Sequence, residues 1–272
     1  MDYIRDLKKR IARIGFGRKN QADLLTPEHR TVHEAVDALA NGRVFIRTEE
    51  VIDTRSGAIY YHETLCKLQD AQGRDLKTFQ TLMRLQSWGL HQEVGLILVD
   101  KACAEGLASG KRIGVNIGPQ TIQSANSRYL LESLLDQWIG AGLSPRNIVL
   151  EIVESAPFEI TPARKRWLDK LRAKGIAIGL DDFGAGYHTM HHLRALPLDF
   201  IKLDGHIIRQ VLDGKAPDWL DEALAICARR NITVIGEHTD TPAEALSLHK
   251  LGIYHVQSRN LSHTDFTGTN TP

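Results

Sequence analysis

Residues 176–190 read IAIGLDDFGAGYHTM, and residues 193–204 read LRALPLDFIKLD. The first segment is an apolar run closed by Asp181 and Asp182, then a glycine-bearing turn and a short helical stretch near 187–195. The second ends in another apolar run, closed by Lys202 and Asp204. This is one strand–helix–strand unit. Parallel strands joined through helices need right-handed crossovers and a buried sheet.

The same alternation extends in both directions. Strand-like runs recur at 112–117, 147–153, 232–236 and 254–257, with helical stretches near 121–140, 162–174, 217–230 and 242–251. Upstream, the runs 43–53 and 58–67 are separated only by Thr54, Arg55, Ser56 and Gly57, the spacing of a hairpin. Six or more units in one chain favour closure over an open sheet. The expected fold is α/β, a (β/α)8-type (TIM-like) barrel with one antiparallel strand. No Pro- or Ser-rich linker divides it, so residues 31–262 form one domain. Residues 1–30 are read as a basic, helical N-terminal extension, and 263–272 as a flexible C-terminal tail.

Composition narrows the class. A hydrophobic content of 42%, with 25% charged residues and a net charge of +1, is ordinary for a soluble protein. A dedicated nucleic-acid binder is usually strongly basic, so no DNA partner is expected. Cys66, Cys103 and Cys227 are scattered without a CxxC pair, which reads as reduced and cytoplasmic. No apolar run approaches the ~18 residues of a membrane span, and no signal peptide is recognised. Residues 1–20 carry seven Lys/Arg against two Asp, with Ile4, Leu7, Ile11 and Ile14 at helical spacing. Such a helix packs on the barrel or a partner protein, or lies on an anionic membrane surface.

The polar residues fall where a barrel does its chemistry. Glu63 lies on the second hairpin strand, Asn116 near the end of VNI, and Glu151 inside IVLEIV. Asp181 and Asp182 close IAIGLDD, Lys202 and Asp204 close FIKLD, Glu237 closes VIGE, and Gln257 ends HVQ. C-terminal strand ends converge on one face of a parallel barrel. Any one strand-end Asp is more often a helix cap, but Glu151 in an apolar strand is not explained that way. Lys202 alone cannot neutralise so many carboxylates, whereas divalent cations can. Oxygen donors without Cys or His favour Mg²⁺ or Mn²⁺ over Zn²⁺. Neighbours on a strand point to opposite faces, so Asp181 and Asp182 reach one site only at a bend, where an Asp can bridge two metals. Glu154 is either solvated or a brace for the lysine. His188, His191 and His192 read as surface histidines, and His62 as packing on the face opposite Glu63.

The long stretch quoted above closely resembles the DDFGTGYSSL…LPVDxLKID signature of EAL-domain cyclic di-GMP phosphodiesterases. The resemblance runs from about residue 32 to 262. The Glu-Ala-Leu of that family corresponds to Glu63-Thr64-Leu65, and its strand-borne Asn to Asn116. Its E-x-T-E corresponds to Glu151–Glu154, its A-E-G-V-E-T to 236–241, and its Q-G-Y to Gln257-Ser258-Arg259. The resemblance implies a two-metal site. Glu63, Asn116, Glu151 and Asp181 would ligate one ion, and Asp181, Asp182 and Glu237 the second. Lys202 would position or deprotonate the attacking water, with Glu154, Asp204 and Asp240 orienting the ligands. Lys67 would contact a substrate phosphate, and Gln257 would sit beside a guanine or at the periphery of the metal site. The implied reaction opens cyclic di-GMP to linear pGpG, and the implied assembly is a homodimer built on the segment after the DDFG turn, where Met190, Leu193 and Leu196 offer an apolar edge.

Several positions depart from the family pattern. Thr64 replaces Ala, and Lys67 stands where Arg is usual, keeping the charge but losing the bidentate fork. Glu49-Glu50 replaces Gln-Pro, Asp240 replaces Glu, and Ser258-Arg259 replaces Gly-Tyr. The implied metal ligands are all kept while the substrate rim is altered. The alternative reading is therefore a catalytically weak or inactive cyclic di-GMP receptor or interaction protein. A kinase reading of Asp182-Phe183-Gly184 fails for want of a Gly-rich phosphate loop and an HRD segment.

Overall fold

Eight strands, each presenting alternate residues to a common axis, close into one barrel in the order β1 to β8. A computed structural model describes residues 2–17 and 27–267. Helices α1 (Asp2–Gly17) and α2 (Pro27–Ala40) precede the hairpin of β1 (Val44–Asp53) and β2 (Ala58–Leu68). Then come α3 (Thr78–Ser87), α4 (His91–Ser109), β3 (Ile113–Ile117), α5 (Pro119–Gln123), α6 (Ala125–Gly140) and β4 (Ile148–Ile152). The DDFG region comprises α7 (Pro162–Ala173), β5 (Ala177–Phe183), α8 (Met190–Ala195) and β6 (Phe200–Leu203). The barrel ends with α9 (Gly205–Leu212), α10 (Leu220–Arg230), β7 (Thr233–Glu237), α11 (Pro242–Leu248) and β8 (His255–Gln257). β1 runs antiparallel to both β2 and β8, and every other neighbouring pair is parallel.

The hairpin carries a bulge. Val51 pairs with Tyr61 and Ile52 with Ile59, which leaves Tyr60 as the extra residue. Tyr60 packs beside Tyr61 against an apolar floor inside the barrel, formed by Val51, Tyr61, Val149, Ala177, Phe200 and Ile235. Gly179 makes room for this floor, because a Cβ there would lie 2.2 Å from the Phe200 ring. Stepping by two residues from the floor towards the C-terminal ends gives Glu63, Glu151, Lys202 and Glu237, and four residues on from Ala177 gives Asp181. On the reversed β1 the same step runs backwards in sequence and gives Glu49. A larger apolar shell between the strands and the helices makes up most of the core.

The sequence reading needs four corrections here. The helix expected over 121–140 is two, because Ser124 leaves α5 and caps α6 by accepting from the Ser127 N–H. α3 and α4, between β2 and β3, have no counterpart among the expected helices. α2 crosses the expected boundary at residue 31 and places Val32, Ala35, Val36, Ala38 and Leu39 in the core. The tail does not begin at 263: His263 donates its N–H to Glu50 at 3.0 Å, and Phe266 is buried near Gly57. Residues 261–267 thus cover the outside of the hairpin, and 268–272 lie outside the described residues.

α1 packs on α2 and α4. Ile11 is fully buried, and Arg10 lies 2.9 Å from the buried carboxylate of Glu93. The side chains of Ile4, Leu7 and Ile14 lie outside the described residues. No described helix is long and apolar enough to cross a membrane. Burial pushes all three cysteine thiols up to about 12, so they stay protonated and unreactive.

Candidate metal centre

Four carboxylates from four strands meet around one ammonium group. Lys202 Nζ lies 2.7 Å from Asp181, 2.8 Å from Glu237, 3.1 Å from Glu63 and 3.2 Å from Glu151. Glu63, Glu151 and Asp181 each offer an oxygen within 4.8 Å of the others, and so do Asp181, Asp182 and Glu237. Asp181 belongs to both triads. Asn116 donates to Glu63 at 2.9 Å and Gln257 donates to it at 2.6 Å, so both amides sit inside the cluster. Tyr61, two residues before Glu63 on the same face, donates its hydroxyl to Glu151 at 3.0 Å. The sequence reading missed Tyr61, although the period of two along β2 points to it.

Backbone geometry makes the double carboxylate possible. β5 does not stop at Asp181 but runs through Phe183 with its register broken after Leu180. Asp182 adopts a left-handed φ of 53°, a conformation Asp tolerates better than most residues, and Gly184 follows at 100°. The reversal turns both carboxylates into the site. Gly114 leaves space on the other side, since a Cβ there would lie 2.3 Å from Glu151 Oε1 and 2.6 Å from the Tyr61 ring.

The electrostatics show one cation facing an excess of acid. Burial opposes the Lys202 charge, yet Asp181, Glu151, Glu63 and Glu237 hold its pKa well above the usual lysine range. Burial also raises the carboxyls, and Lys202 offsets this unequally. Glu63 is held below its ordinary value by Lys202, Gln257 and Asn116. Glu151 and Glu237 are pushed well above theirs, and Asp181 up to about 6. Asp182 is raised as well, first by burial and then by Asp204. Buried acceptors are also left without a hydrogen-bond partner: Asn116 Oδ1, Glu151 Oε1, Glu237 Oε2 and Gln257 Oε1. Orphaned oxygens beside carboxyls whose charged form burial disfavours fit divalent, oxygen-seeking cations.

The remaining candidates lie further out. Glu154 does not touch Lys202. It accepts the His188 N–H, bracing the turn after β5. Burial, with repulsion from Asp182 and Asp204, raises it to about 7. Asp204 caps α9 by accepting the His206 N–H at 2.8 Å. Asp240 is exposed and bonds Arg209 and Asn260. Lys67 is exposed and paired with Asp75 at 2.7 Å.

His188 and His192 are not surface residues, because α8 starts only at Met190 and the three histidines do not share one helical face. His188 is buried and donates Nδ1–H to the Asp181 carbonyl at 2.9 Å. His192 is buried in the capping box of α8. His62 is buried beside Glu63, as read. Leu193 and Leu196 are fully buried in this chain's own core, so they form no apolar edge. Tyr187 is the exposed large side chain of that segment.

The family model described as the EAL domain matches residues 32–263. The chain belongs to the EAL domain family. Among curated relatives, the cyclic di-GMP phosphodiesterase PdeA of Borreliella burgdorferi is 28% identical over 181 residues, covering 64% of this chain and 27% of that protein. This EAL domain therefore spans about a quarter of that relative's length. Among solved structures, the PaMucR phosphodiesterase in complex with c-di-GMP superposes with a TM-score of 0.73 at 23% identity, covering 85% of this chain and 96% of that one. The manganese and cyclic di-GMP complex of Klebsiella pneumoniae BlrP1 gives 0.63 at 21% identity, covering 81% of this chain and 55% of that one. At these identities the superpositions show the EAL barrel fold alone.

Proposed function

We propose that this EAL domain is a metal-dependent phosphodiesterase that opens one phosphodiester of cyclic di-GMP to give linear pGpG. The observation that carries this reading is the pair of carboxylate triads sharing Asp181 around Lys202. Two Mg²⁺ or Mn²⁺ ions suit these donors. Glu63, Asn116, Glu151 and Asp181 would hold one, and Asp181, Asp182 and Glu237 the other. The bound ions supply Lewis acidity towards the phosphoryl group. Asn116, Gln257 and Tyr61 fix the carboxylate orientations by hydrogen bonding, as partners behind metal ligands do. Lys202 presents N–H donors among the carboxylates, where it orients a water for in-line attack. Glu154 holds the turn that aims Asp182, and Asp204 fixes the start of α9 beside it.

Incubation with cyclic di-GMP and Mn²⁺ or Mg²⁺, followed by chromatography, tests this directly. Linear pGpG is expected from the parent and not from Glu63→Ala, Asp181→Ala or Lys202→Ala. Intact cyclic di-GMP, bound but not cleaved by the parent, would give the receptor reading its place.

A further inference from the structure

The polar layer contains a carboxylate outside the metal triads. Glu49 is the Cα partner of Glu63 across the hairpin and faces the barrel interior with it. Its side chain is 10% exposed and meets two arginines. Arg259 Nε, on the loop after β8, lies 3.5 Å away, and Arg47 Nη2, two residues along β1, lies 4.0 Å away. Both guanidinium groups reach solvent, with side chains 69% and 59% exposed. Neither contact is a bidentate fork, so each keeps donor edges for another anion. Lys67 is different, because Asp75 takes its ammonium at 2.7 Å. The mouth above the carboxylate cluster therefore holds two positive forks on one acid.

We propose that Arg47 and Arg259, gathered by Glu49, form the clamp for the phosphodiester groups of the nucleotide, in place of Lys67. This rests on the phosphodiesterase reading and adds to it the residues that bind the substrate's charge. Glu49 holds the two forks over the mouth and competes with phosphate for them. A guanidinium matches two phosphate oxygens at once, which an ammonium does not. The clamp also places positive charge above a cavity whose own donors are acidic, so an anionic substrate is not turned away by the field of the metal ligands.

The test is calorimetric binding of cyclic di-GMP in the presence of Ca²⁺, over a range of salt, for the parent, Arg47→Gln, Arg259→Gln, Glu49→Gln and Lys67→Gln. Each arginine variant is expected to lose about tenfold in affinity and to show a shallower salt dependence. Glu49→Gln should bind more tightly, because the competing charge is gone, and Lys67→Gln should change less than either arginine variant. The shift in melting temperature caused by Mn²⁺ alone, without nucleotide, should stay at the parent's value in all four. Arginine variants that bind as the parent does, or a loss confined to Lys67→Gln, would overturn the clamp and leave the phosphodiesterase reading standing. A parent that binds no cyclic di-GMP would overturn both.

Discussion

Lys202 Nζ lies 2.7 Å from Asp181 Oδ1, on the residue common to both carboxylate triads. The buried lysine is thus the cation that holds the acidic cluster together when no metal is bound. Replacing Lys202 with Met leaves carboxylates buried without a counter-charge. Metal-free Lys202→Met is expected to lose about 3–5 kcal/mol of stability, the usual cost of breaking a buried ion pair from one side. Mn²⁺ should restore much of it. Denaturant unfolding with and without metal checks this, and an unchanged metal-free midpoint would refute it.

Glu237→Gln should behave in the opposite way. Burial already raises this carboxyl well above its ordinary value, so the neutral amide replaces a charge the site disfavours. The metal-free melting temperature should equal or exceed the parent's, while Mn²⁺ affinity falls by about tenfold or more. Thermal scans against a Mn²⁺ titration read both effects.

Stability of the metal-free protein should depend on Glu154. Its folded value of about 7 stands above the ordinary 4.5, so the folded state binds the proton more tightly than the unfolded chain does. Its contribution is complete below pH 4.5 and is lost as the pH rises through about 7. Glu154→Gln should flatten this part of the curve, read as the parent-minus-variant difference in unfolding free energy from pH 4 to 8. A difference that grows in the parent's favour with rising pH would contradict the assignment.

Gly114→Ala should cost about 1–3 kcal/mol by overpacking, since the added Cβ meets Glu151 and Tyr61. Because it displaces a proposed ligand, Mn²⁺ binding should weaken with it. Gly42→Ala, which meets no neighbour within 4 Å but has a φ of 72°, serves as a control for backbone strain without displacement.

Ile11→Ala should lower stability by about 2–4 kcal/mol, the range for truncating a buried Ile. Such a loss would show that the basic N-terminal helix is part of the folded unit. A surface helix would lose almost nothing.

The strand-end acids were legible because one rule, polar residues at C-terminal strand ends, repeats on strand after strand. Glu151, Asp181, Lys202 and Glu237 follow it and come together, and Glu63 joins them from the middle of β2. Asp240 and Lys67 came from resemblance, and local partners engage them: Arg209 and Asn260 for one, Asp75 for the other. Such partners lie within reach only once loops are folded. Tyr61 and Glu49 follow the period of two on their strands, but without a partner to point at they read as ordinary strand residues. Leu193 and Leu196 resembled an exposed edge because a short helix carries too few turns to mark its buried side.

The bulge at Tyr60 has a further consequence, one of parity. A single extra residue on β2 decides whether odd or even positions of that strand face inward from there on. With it, Tyr61 and Glu63 share the interior with Val51 and Glu49. Without it, the same side chains would face the helices, leaving Glu151 and Asp181 with no Glu63 to complete their triad. A one-residue deletion in this hairpin is therefore not a small change of length but an inversion of inside and outside. Chains descended from this one can tolerate insertions there only in pairs, or in the turn at 54–57, before the strand begins to count.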